Sequence, residues 1–422
     1  MLQAKAPKGT RDILPSEAYK WRYVEKVFSK LCETYNYKEI RTPVFEHTEL
    51  FRHSVGDTTD IVQKEMYTFT DKGGRSITLR PEGTAGVVRS YIENGMDSLP
   101  QPVKLYYNIA AYRYENVQKG RYREFHQLGV EAFGSASPSV DAEIISILVA
   151  FFERLGIKGV ELNINSIGCQ ECRKAYNEKL KEYLKPLVAN LCENCRVRYE
   201  RNPLRTIDCK EKKCREYTAH APALLDNLCK ECGEHFESLK ARLDNLEIIY
   251  NIDKNIVRGL DYYTKTVFEF ISCNVGTQGT ICGGGRYDGL VELCGGKPTP
   301  GVGFALGVER LLMEMESQDV LIPQPRGVEI YFAAVGGNAV NFAEKLVYML
   351  RKRGISAECD LTGRSLKAQM KHADRIGATY AVVLGDREIE SNRCVLKNMK
   401  TGEQKDVSLD SVMDRMLTGK MC

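Results

Sequence analysis

Apolar residues in this chain follow two spacings, and the switches between them mark out its elements. From Ser16 to about Tyr35, Tyr23, Val27, Leu31 and Tyr35 recur every four residues. That spacing predicts a helix with Ser16 as its N-cap. An extended run follows at Ile40–Glu46, where Pro43 cannot donate to a ladder and marks an edge or interface strand. Met66–Thr70 and Ser76–Arg80 bracket Asp71-Lys72-Gly73-Gly74, a hairpin signal. Pro81-Glu82-Gly83-Thr84 then leads into a helical stretch through Tyr91, which places Glu82 at a strand-to-helix junction. Glu82 there either serves a ligand or acts as a first-turn acid facing the helix dipole.

Tyr106 to Gly134 reads as two long strands joined by a polar loop. Alternation places Arg113 and Glu115 on one face, and Gln127, Gly129 and Glu131 on one face of the returning strand. Charged groups on a sheet face are costly to bury unless something binds there, and cross-strand ion pairing on a wet face is the plainer explanation. An apolar helix over Val140–Leu155 and a strand over Val160–Asn165 come next. A cysteine-rich stretch then interrupts the pattern from Cys169 to about His235, with a helix near Phe236–Asn245. Extended segments resume at Ile256–Tyr263 and Val267–Ile271. They are followed by a glycine-rich turn at Gly283–Gly289 and a strand passing into a helix over Gly301–Leu311.

Pro323-Gln324-Pro325-Arg326-Gly327 reads as a linker. Beyond it, strands at Val328–Val335, Ile355–Asp360 and Tyr380–Leu384 alternate with helices near Asn338–Arg353 and Ser365–Ile376, a small α/β unit with a parallel sheet. The domains expected are 1–168 and 246–322 as two parts of one core, 169–245 as an insertion, 323–327 as linker and 328–422 as the final unit.

Composition narrows the class. A chain of 422 residues exceeds one compact core. A net charge of +4 supplies no global field for nucleic acid, so any basic surface is local. No apolar run is long enough for a membrane span, and the first residues lack the apolar core of a signal peptide, so a cytoplasmic protein is expected. Of 15 cysteines, eight lie between Cys169 and Cys232, which in that compartment favours thiols or metal ligands over disulfides. The glycines of 283–289 match neither a P-loop nor a dinucleotide fingerprint.

Four arginines stand out: Arg113, Arg121, Arg258 and Arg310, each in an extended or glycine-flanked context beside carboxylates or tyrosines. Guanidinium groups suit bidentate phosphate contact, and four of them point to phosphoryl or nucleotidyl transfer.

The residues carrying those arginines resemble a known family. Tyr112-Arg113-Tyr114-Glu115 with its loop and Phe125-His126-Gln127 resembles motif 2 of the class II aminoacyl-tRNA synthetases. Thr42–Glu46 resembles motif 1, and Gly301–Leu311 resembles motif 3. Leu79-Arg80-Pro81-Glu82-Gly83-Thr84 and Val257–Tyr263 are similar to the signatures of the histidyl-tRNA synthetase family. The likeness covers Pro7 to about Leu162 and Asn245 to about Leu409. Two departures stand in the motif 2 loop: tyrosines flank Arg113, and Asn116 occupies a place often basic in bacterial members.

This resemblance implies an α+β fold: an antiparallel six-stranded catalytic core flanked by helices, with a helical, cysteine-rich insertion and a C-terminal α/β anticodon-binding-like domain. It implies a homodimer formed through the motif 1 region, and two steps. The carboxylate of L-histidine attacks the α-phosphate of ATP, held with Mg2+, to give histidyl-adenylate. The 3′ end of the histidine tRNA then takes the histidyl group. No side chain presents itself as base for that transfer, whereas the adenylate's own phosphate oxygen is available.

The roles carried over are these. Arg113 and Arg258 would act on opposite sides of the α-phosphate. Arg121 and Arg310 would hold the β- and γ-phosphates, with Glu115 near the adenine. Glu82, Gly83, Thr84 and Gln127 would bind around the α-amino group. Glu131 and Tyr263 would meet the imidazole nitrogens, with Tyr262 and Tyr287 lining the pocket. Gln118, Lys119 and Arg121 suit contacts to the tRNA acceptor end.

The insertion carries its own signal. Cys169-x2-Cys172, Cys192-x2-Cys195, Cys209-x4-Cys214 and Cys229-x2-Cys232 form four pairs. Cys192, Cys195, Cys229 and Cys232 form the candidate set for a structural Zn2+, four pairs could hold two ions, and free thiols are the alternative. From Cys169 to His220, 13 Lys and Arg face 8 Asp and Glu, which fits an arm on the tRNA backbone or a solvated basic face. Arg364, Lys367, Lys371 and Arg375 follow helical spacing in the final unit and could face RNA. The competing reading is the synthetase-like, non-catalytic regulatory subunit of ATP-phosphoribosyltransferase. A likeness to a synthetase-like RNA-binding protein without aminoacylation is the other.

Overall fold

The computed structural model describes residues 4–56, 59–209, 211–272, 279–325 and 327–418. Met1, Leu2 and Gln3, Arg326 of the linker, and residues 419–422 of the final unit lie outside the described residues. The chain divides into two units, Met1–Ile322 and Pro323–Cys422.

Pro15 sits at the first position of α1 (Pro15–Thr34), where a missing N–H costs nothing, and Leu14 rather than Ser16 is the N-cap residue. The helix buries Trp21, Val24, Phe28, Leu31 and Cys32; Tyr23, Val27 and Tyr35 of the expected stripe pack only at its margin. The extended run expected over 40–46 is broken into β1 (Lys38–Glu39) and β2 (Phe45–His47). Between them the carbonyls of Thr42 and Pro43 accept from the Arg80 guanidinium instead of from a neighbouring strand.

α2 (Thr48–Val55) leads to the expected hairpin, β3 (Thr68–Thr70) and β4 (Ser76–Leu79). Its turn closes on Asp71, whose Oδ1 accepts from the N–H groups of Gly73 and Arg75, both at 2.9 Å. Strands β2, β4 and β3 form a small antiparallel sheet. α3 (Thr84–Glu93) follows, then β5 (Val103–Tyr112), β6 (Glu124–Phe133), α4 (Pro138–Leu155) and β7 (Val160–Ser166).

The insertion comprises α5 (Gln170–Leu184), α6 (Glu193–Arg201), α7 (Lys212–Thr218) and α8 (Lys230–Asn245). It does not bring Cys192, Cys195, Cys229 and Cys232 together. Cys229 and Cys232, at the start of α8, group with Cys169 and Cys172, whereas Cys192 and Cys195 group with Cys209 and Cys214. Pairing by equal spacing fails because the chain nests one cysteine loop inside the other.

β8 (Asn251–Ile252), β9 (Thr264–Ser272), β10 (Thr280–Arg286), α9 (Leu290–Leu293), β11 (Gly301–Gly307) and α10 (Val308–Ser317) complete the unit. The glycines of 283–285 therefore lie within a strand, not in a turn. Residues 256–263 form no strand: the Ile256 N–H bonds the carbonyl of Asp253 and the Asp261 N–H that of Val55, so no ladder partner is shared.

The main sheet runs β1-β5-β6-β11-β10-β9-β7-β8. Its six inner strands are antiparallel throughout, as expected, and a two-residue strand pairs parallel at each edge. Period-two alternation decides what each face does. Leu128, Val130 and Ala132 of β6 and Val302, Phe304 and Leu306 of β11 pack with Phe28 of α1 and Leu148 and Phe151 of α4. The intervening residues Gln127, Gly129, Glu131, Gly303 and Ala305 face the other way. A fully buried ion pair, Arg286 with Asp141, ties β10 to the start of α4, and Asp288 takes the remaining reach of that arginine. Among the described residues no helix is long and apolar enough to cross a membrane.

The second unit is built from β12 (Ile330–Ala334), α11 (Gly337–Lys352), β13 (Ala357–Cys359), α12 (Leu366–Arg375), β14 (Tyr380–Leu384), α13 (Asp386–Ser391), β15 (Arg393–Asn398), β16 (Gln404–Ser408) and α14 (Leu409–Thr418). Its sheet order is β13-β12-β14-β15-β16. The first three strands are parallel, and the last two add antiparallel. The three parallel strands expected are present, and the sheet is extended by two strands not expected, joined in a hairpin at Asn398, whose Oδ1 accepts from the N–H groups of Lys400 and Thr401. Lys367, Lys371 and Arg375 are exposed on α12, while Arg364 is paired with Asp360 at 2.7 Å.

Candidate active site

The inner face of the main sheet carries a cavity of about 240 Å³. Its wall includes Glu82, Thr84, Arg113, Glu115, Arg121, Gln127, Arg258, Tyr262, Tyr263 and Arg310. Arg113 and Arg258 thus open onto one space, although 145 residues of chain separate them. Gly83, Glu131 and Tyr287 are not on the wall; they lie in the layer behind it.

The junction between β4 and α3 is fixed from below. Arg80 is buried and donates to the carbonyls of Ala110, Thr42 and Pro43, which sets the backbone that presents Glu82. The Glu82 carboxylate accepts from the N–H groups of Thr84 and Ala85, both at 2.7 Å, so it covers two of the free donors at the start of α3. The helix-start role weighed for Glu82 is seen in these two bonds, and the same side chain lies on the cavity wall. Burial pushes its pKa up despite those two bonds.

Behind this junction Glu131 is fully buried. It accepts from Thr84 Oγ1 at 2.8 Å, from the Tyr107 hydroxyl at 3.1 Å and from the Tyr287 hydroxyl. Burial raises its pKa to about 8, against these three bonds. The neighbouring glycines make the room. A Cβ on Gly303 would fall 1.9 Å from Glu131 Oε2, and one on Gly129 would fall 2.1 Å from the Tyr107 ring. On the same face Gln127 reaches the cavity, and its Oε1 is buried without a protein partner.

Arg113 and Glu115 lie on one side, as alternation predicted, with their charged groups 3.9 Å apart, but not within a strand. β5 ends at Tyr112, and the Glu115 N–H turns back onto the Arg113 carbonyl at 2.8 Å. The turn leaves Arg113 Nε on the carbonyl of Pro81 at 2.8 Å and its guanidinium 5.2 Å from the centre of the Phe125 ring. Glu115 lies 3.4 Å from Arg121. Arg310, in the first turn of α10, donates to the carbonyl of Thr280 at 2.8 Å and approaches the carbonyl of Gly120 at 3.4 Å. Burial, and then the positive charge of Arg121, hold its pKa below the ordinary value, the condition an anion would relieve.

Arg258 is ion-paired to Glu269 of β9 and lies 5.8 Å from the Tyr263 ring centre. Tyr263 in turn packs on Tyr262 with ring centres 4.6 Å apart and planes tilted by 49°, and Tyr262 contacts Tyr287 edge-on at 5.7 Å. The Nε groups of Arg258 and Arg121 are buried and have no protein acceptor. Together with Gln127 Oε1 they leave two donors and one acceptor waiting at one cavity.

Gly283 explains why β10 carries glycines here: a Cβ would fall 2.2 Å from Arg258 Nη2. Because the obstructed atoms end a flexible side chain, Gly283→Ala is expected to fold, with a lowered melting temperature as the ion pair of Arg258 with Glu269 is disturbed. The displaced guanidinium should lower the activity of the site on the order of tenfold. Unchanged activity would show that the position of Arg258 is not critical.

Sequence reasoning passed over Phe125, Glu309 and Cys282, all on the wall. Phe125 could have been found, since it is two residues before Gln127 on the same strand face. Glu309 precedes Arg310, and it is engaged by His126 through the backbone N–H and Nδ1, both at 2.9 Å. Nothing in the sequence marked Cys282.

A family model described as Histidyl-tRNA synthetase matches residues 9–311, and one described as Anticodon binding domain matches 329–418. A histidine–tRNA ligase of Acetivibrio thermocellus is 70% identical over 98% of this chain and 99% of its own length. One of Caldanaerobacter subterraneus is 55% identical over 97% and 98%. The crystal structure of apo S. aureus histidyl-tRNA synthetase superposes with a TM-score of 0.85 at 44% identity, covering 98% of this chain and all of that one.

Proposed function

The chain belongs to the histidyl-tRNA synthetase family, and from that premise we propose how its residues carry out the work of a histidine–tRNA ligase. ATP and histidine meet in the cavity of the main sheet. Four guanidinium groups on one wall, two of them with buried and unpaired Nε donors, are the observation that carries this reading.

Arg113 and Arg258 hold the α-phosphate between them and offset the charge that grows as the histidine carboxylate attacks. The carboxylate oxygen forms its bond to phosphorus as the bond to the β-phosphate oxygen breaks, and pyrophosphate leaves. Arg121 and Arg310 hold the departing phosphates. Glu115 and the ring of Phe125 take the adenine. Mg2+ enters with the triphosphate as part of the substrate, and Glu309 is a carboxylate on the wall that would meet it.

The α-ammonium group of histidine binds among Glu82, Thr84 and Gln127, whose Oε1 lacks any other donor. Gly83 lets the backbone approach, since a Cβ there would fall 2.5 Å from the Tyr107 ring. Tyr263 and Tyr262 line the imidazole pocket. Glu131 sits beneath them and senses the ring through the hydroxyls of Thr84 and Tyr287, the second of which closes the pocket floor. A pocket that hydrogen-bonds the imidazole excludes side chains lacking its nitrogens by about 10⁴-fold without editing.

The tRNA acceptor end enters over the loop carrying Gln118, Lys119 and Arg121, and the exposed residues Lys367, Lys371 and Arg375 of the second unit face RNA. Phe45 and Phe69 on the small sheet β2-β4-β3, and Val44 just before β2, are large apolar side chains left exposed. They support assembly as a homodimer through that surface. The enzyme works in the cytoplasm.

Purified protein with ATP should exchange pyrophosphate, with histidine the only amino acid that supports it. A regulatory, non-catalytic protein of the same fold would give no exchange with any of them. Exchange independent of histidine would reject the pocket assignment.

A further inference from the structure

Eight thiols of the insertion fall into two groups. In each, the four Sγ atoms lie within 4.8 Å of one another: Cys169, Cys172, Cys229 and Cys232 in the outer group, Cys192, Cys195, Cys209 and Cys214 in the inner one. We propose that each group binds one zinc ion, so that the insertion is built around two tetrathiolate sites.

The spacing of the sulfurs fits the ion. Four thiolates about 2.3 Å from a tetrahedral zinc stand about 3.8 Å from one another. Cys169 and Cys172 are 3.6 Å apart at sulfur, and Cys192 and Cys209 are 3.8 Å apart. Disulfide sulfurs would be about 2.05 Å apart, and all eight cysteines are free. An iron–sulfur cluster would hold its ligands wider than this, with several atoms between them.

Backbone N–H groups already point at the sulfurs. Cys229 donates to Cys172 Sγ at 3.1 Å, Cys192 to Cys214 Sγ at 3.3 Å and Cys195 to Cys192 Sγ at 3.4 Å. Such donors favour the thiolate, which is the form that binds metal.

A second argument comes from what the inner segment lacks. α6 buries only Cys195, and α7 buries only Cys214 and Thr218. Their shared cluster is Leu191 with Cys195, Cys209 and Cys214, flanked by Cys192 and Tyr217. Two helices with so little apolar surface cannot offset the entropy of their own ordering, and a bound ion supplies what the core does not.

The outer site does a different job. Cys169 and Cys172 open α5 and Cys229 and Cys232 open α8, so the ion clasps the points where the chain leaves the main sheet and returns. Both ends are also pinned to β9, through the Lys265 N–H on the Gly168 carbonyl and the Lys265 ammonium on Glu231, each at 2.8 Å. The inner site fixes α6 and hence Asn202, which donates to Asp261 at 3.1 Å in the loop bearing Arg258 and Tyr263.

The test uses the full chain, purified without chelator from zinc-replete cells, with zinc and iron measured by plasma mass spectrometry. Two zinc ions per chain are expected. Cys172→Ala and Cys209→Ala should each leave one. Because either variant could unfold the insertion, the wild-type chain is also produced with cobalt, which should show the charge-transfer and ligand-field bands of a tetrahedral thiolate site at two ions per chain. One zinc or fewer in the wild type, iron in its place, or disulfides revealed by alkylation without reductant would overturn the assignment.

Discussion

Arg258→Ala is expected to lower histidine-dependent pyrophosphate exchange by about 10²- to 10³-fold, the usual cost of removing one aimed donor from a developing oxyanion. ATP should still bind, because Arg113, Arg121 and Arg310 remain on the wall. The loss should therefore appear in kcat, with KM for ATP little changed. The substitution also strands Glu269, whose side chain is only 19% exposed and whose other carboxylate oxygen accepts from Thr280 at 3.2 Å. An unpaired carboxylate in that position destabilises the fold by itself. The double variant Arg258→Ala with Glu269→Gln separates the two effects: stability should recover while exchange stays low. Arg258→Lys, a point charge without the planar fork, should recover little. Near-normal turnover in Arg258→Ala would remove this residue from the mechanism.

The parts of the site legible in the sequence are those that local periodicity governs. Alternation along β6 put Gln127, Gly129 and Glu131 on one face, and the structure keeps them there because each has a backbone ladder on both sides. Legibility ends where the backbone leaves the ladder. Arg113 and Glu115 lie one and three residues beyond the end of β5; they stay on one side, but in a turn that no alternation rule describes. Residues 256–263 look extended by composition, yet they hold their place through contacts with α2 and the insertion, which are remote in the chain. The cysteine groups show the same limit. Spacing announced ligand pairs, but which pair meets which depends on how the loops nest, a tertiary fact. Glycines at 283–285 read as a turn because they lack side chains. They sit in a strand because Arg258 and Tyr263 need the space above it.

Glu131→Gln tests the layer behind the wall, and its outcome has two parts. In the native chain burial raises the Glu131 pKa from 4.5 to about 8, so at neutral pH the folded state retains a proton that the unfolded chain has released. A raised native pKa contributes stability that is complete below the unfolded value and is lost as pH climbs through the folded one. Stability attributable to this group should thus decline between pH 4.5 and about 8, at up to about 1.4 kcal/mol per pH unit, and level off above. Glutamine cannot titrate, so the difference in unfolding free energy between wild type and variant should fall across that window and be flat beyond it. On the functional side, the glutamine oxygen can still accept from Thr84 and Tyr107, but its NH2 group confronts the Tyr287 hydroxyl. Losing one buried hydrogen bond between neutral groups costs about 0.5–1.5 kcal/mol, so kcat/KM for histidine at neutral pH should drop by roughly 2- to 10-fold with KM for ATP unmoved. A pH dependence identical in both proteins would show that Glu131 carries no displaced proton. An unaltered kcat/KM for histidine would show that the imidazole is selected without it, by Tyr262 and Tyr263 alone.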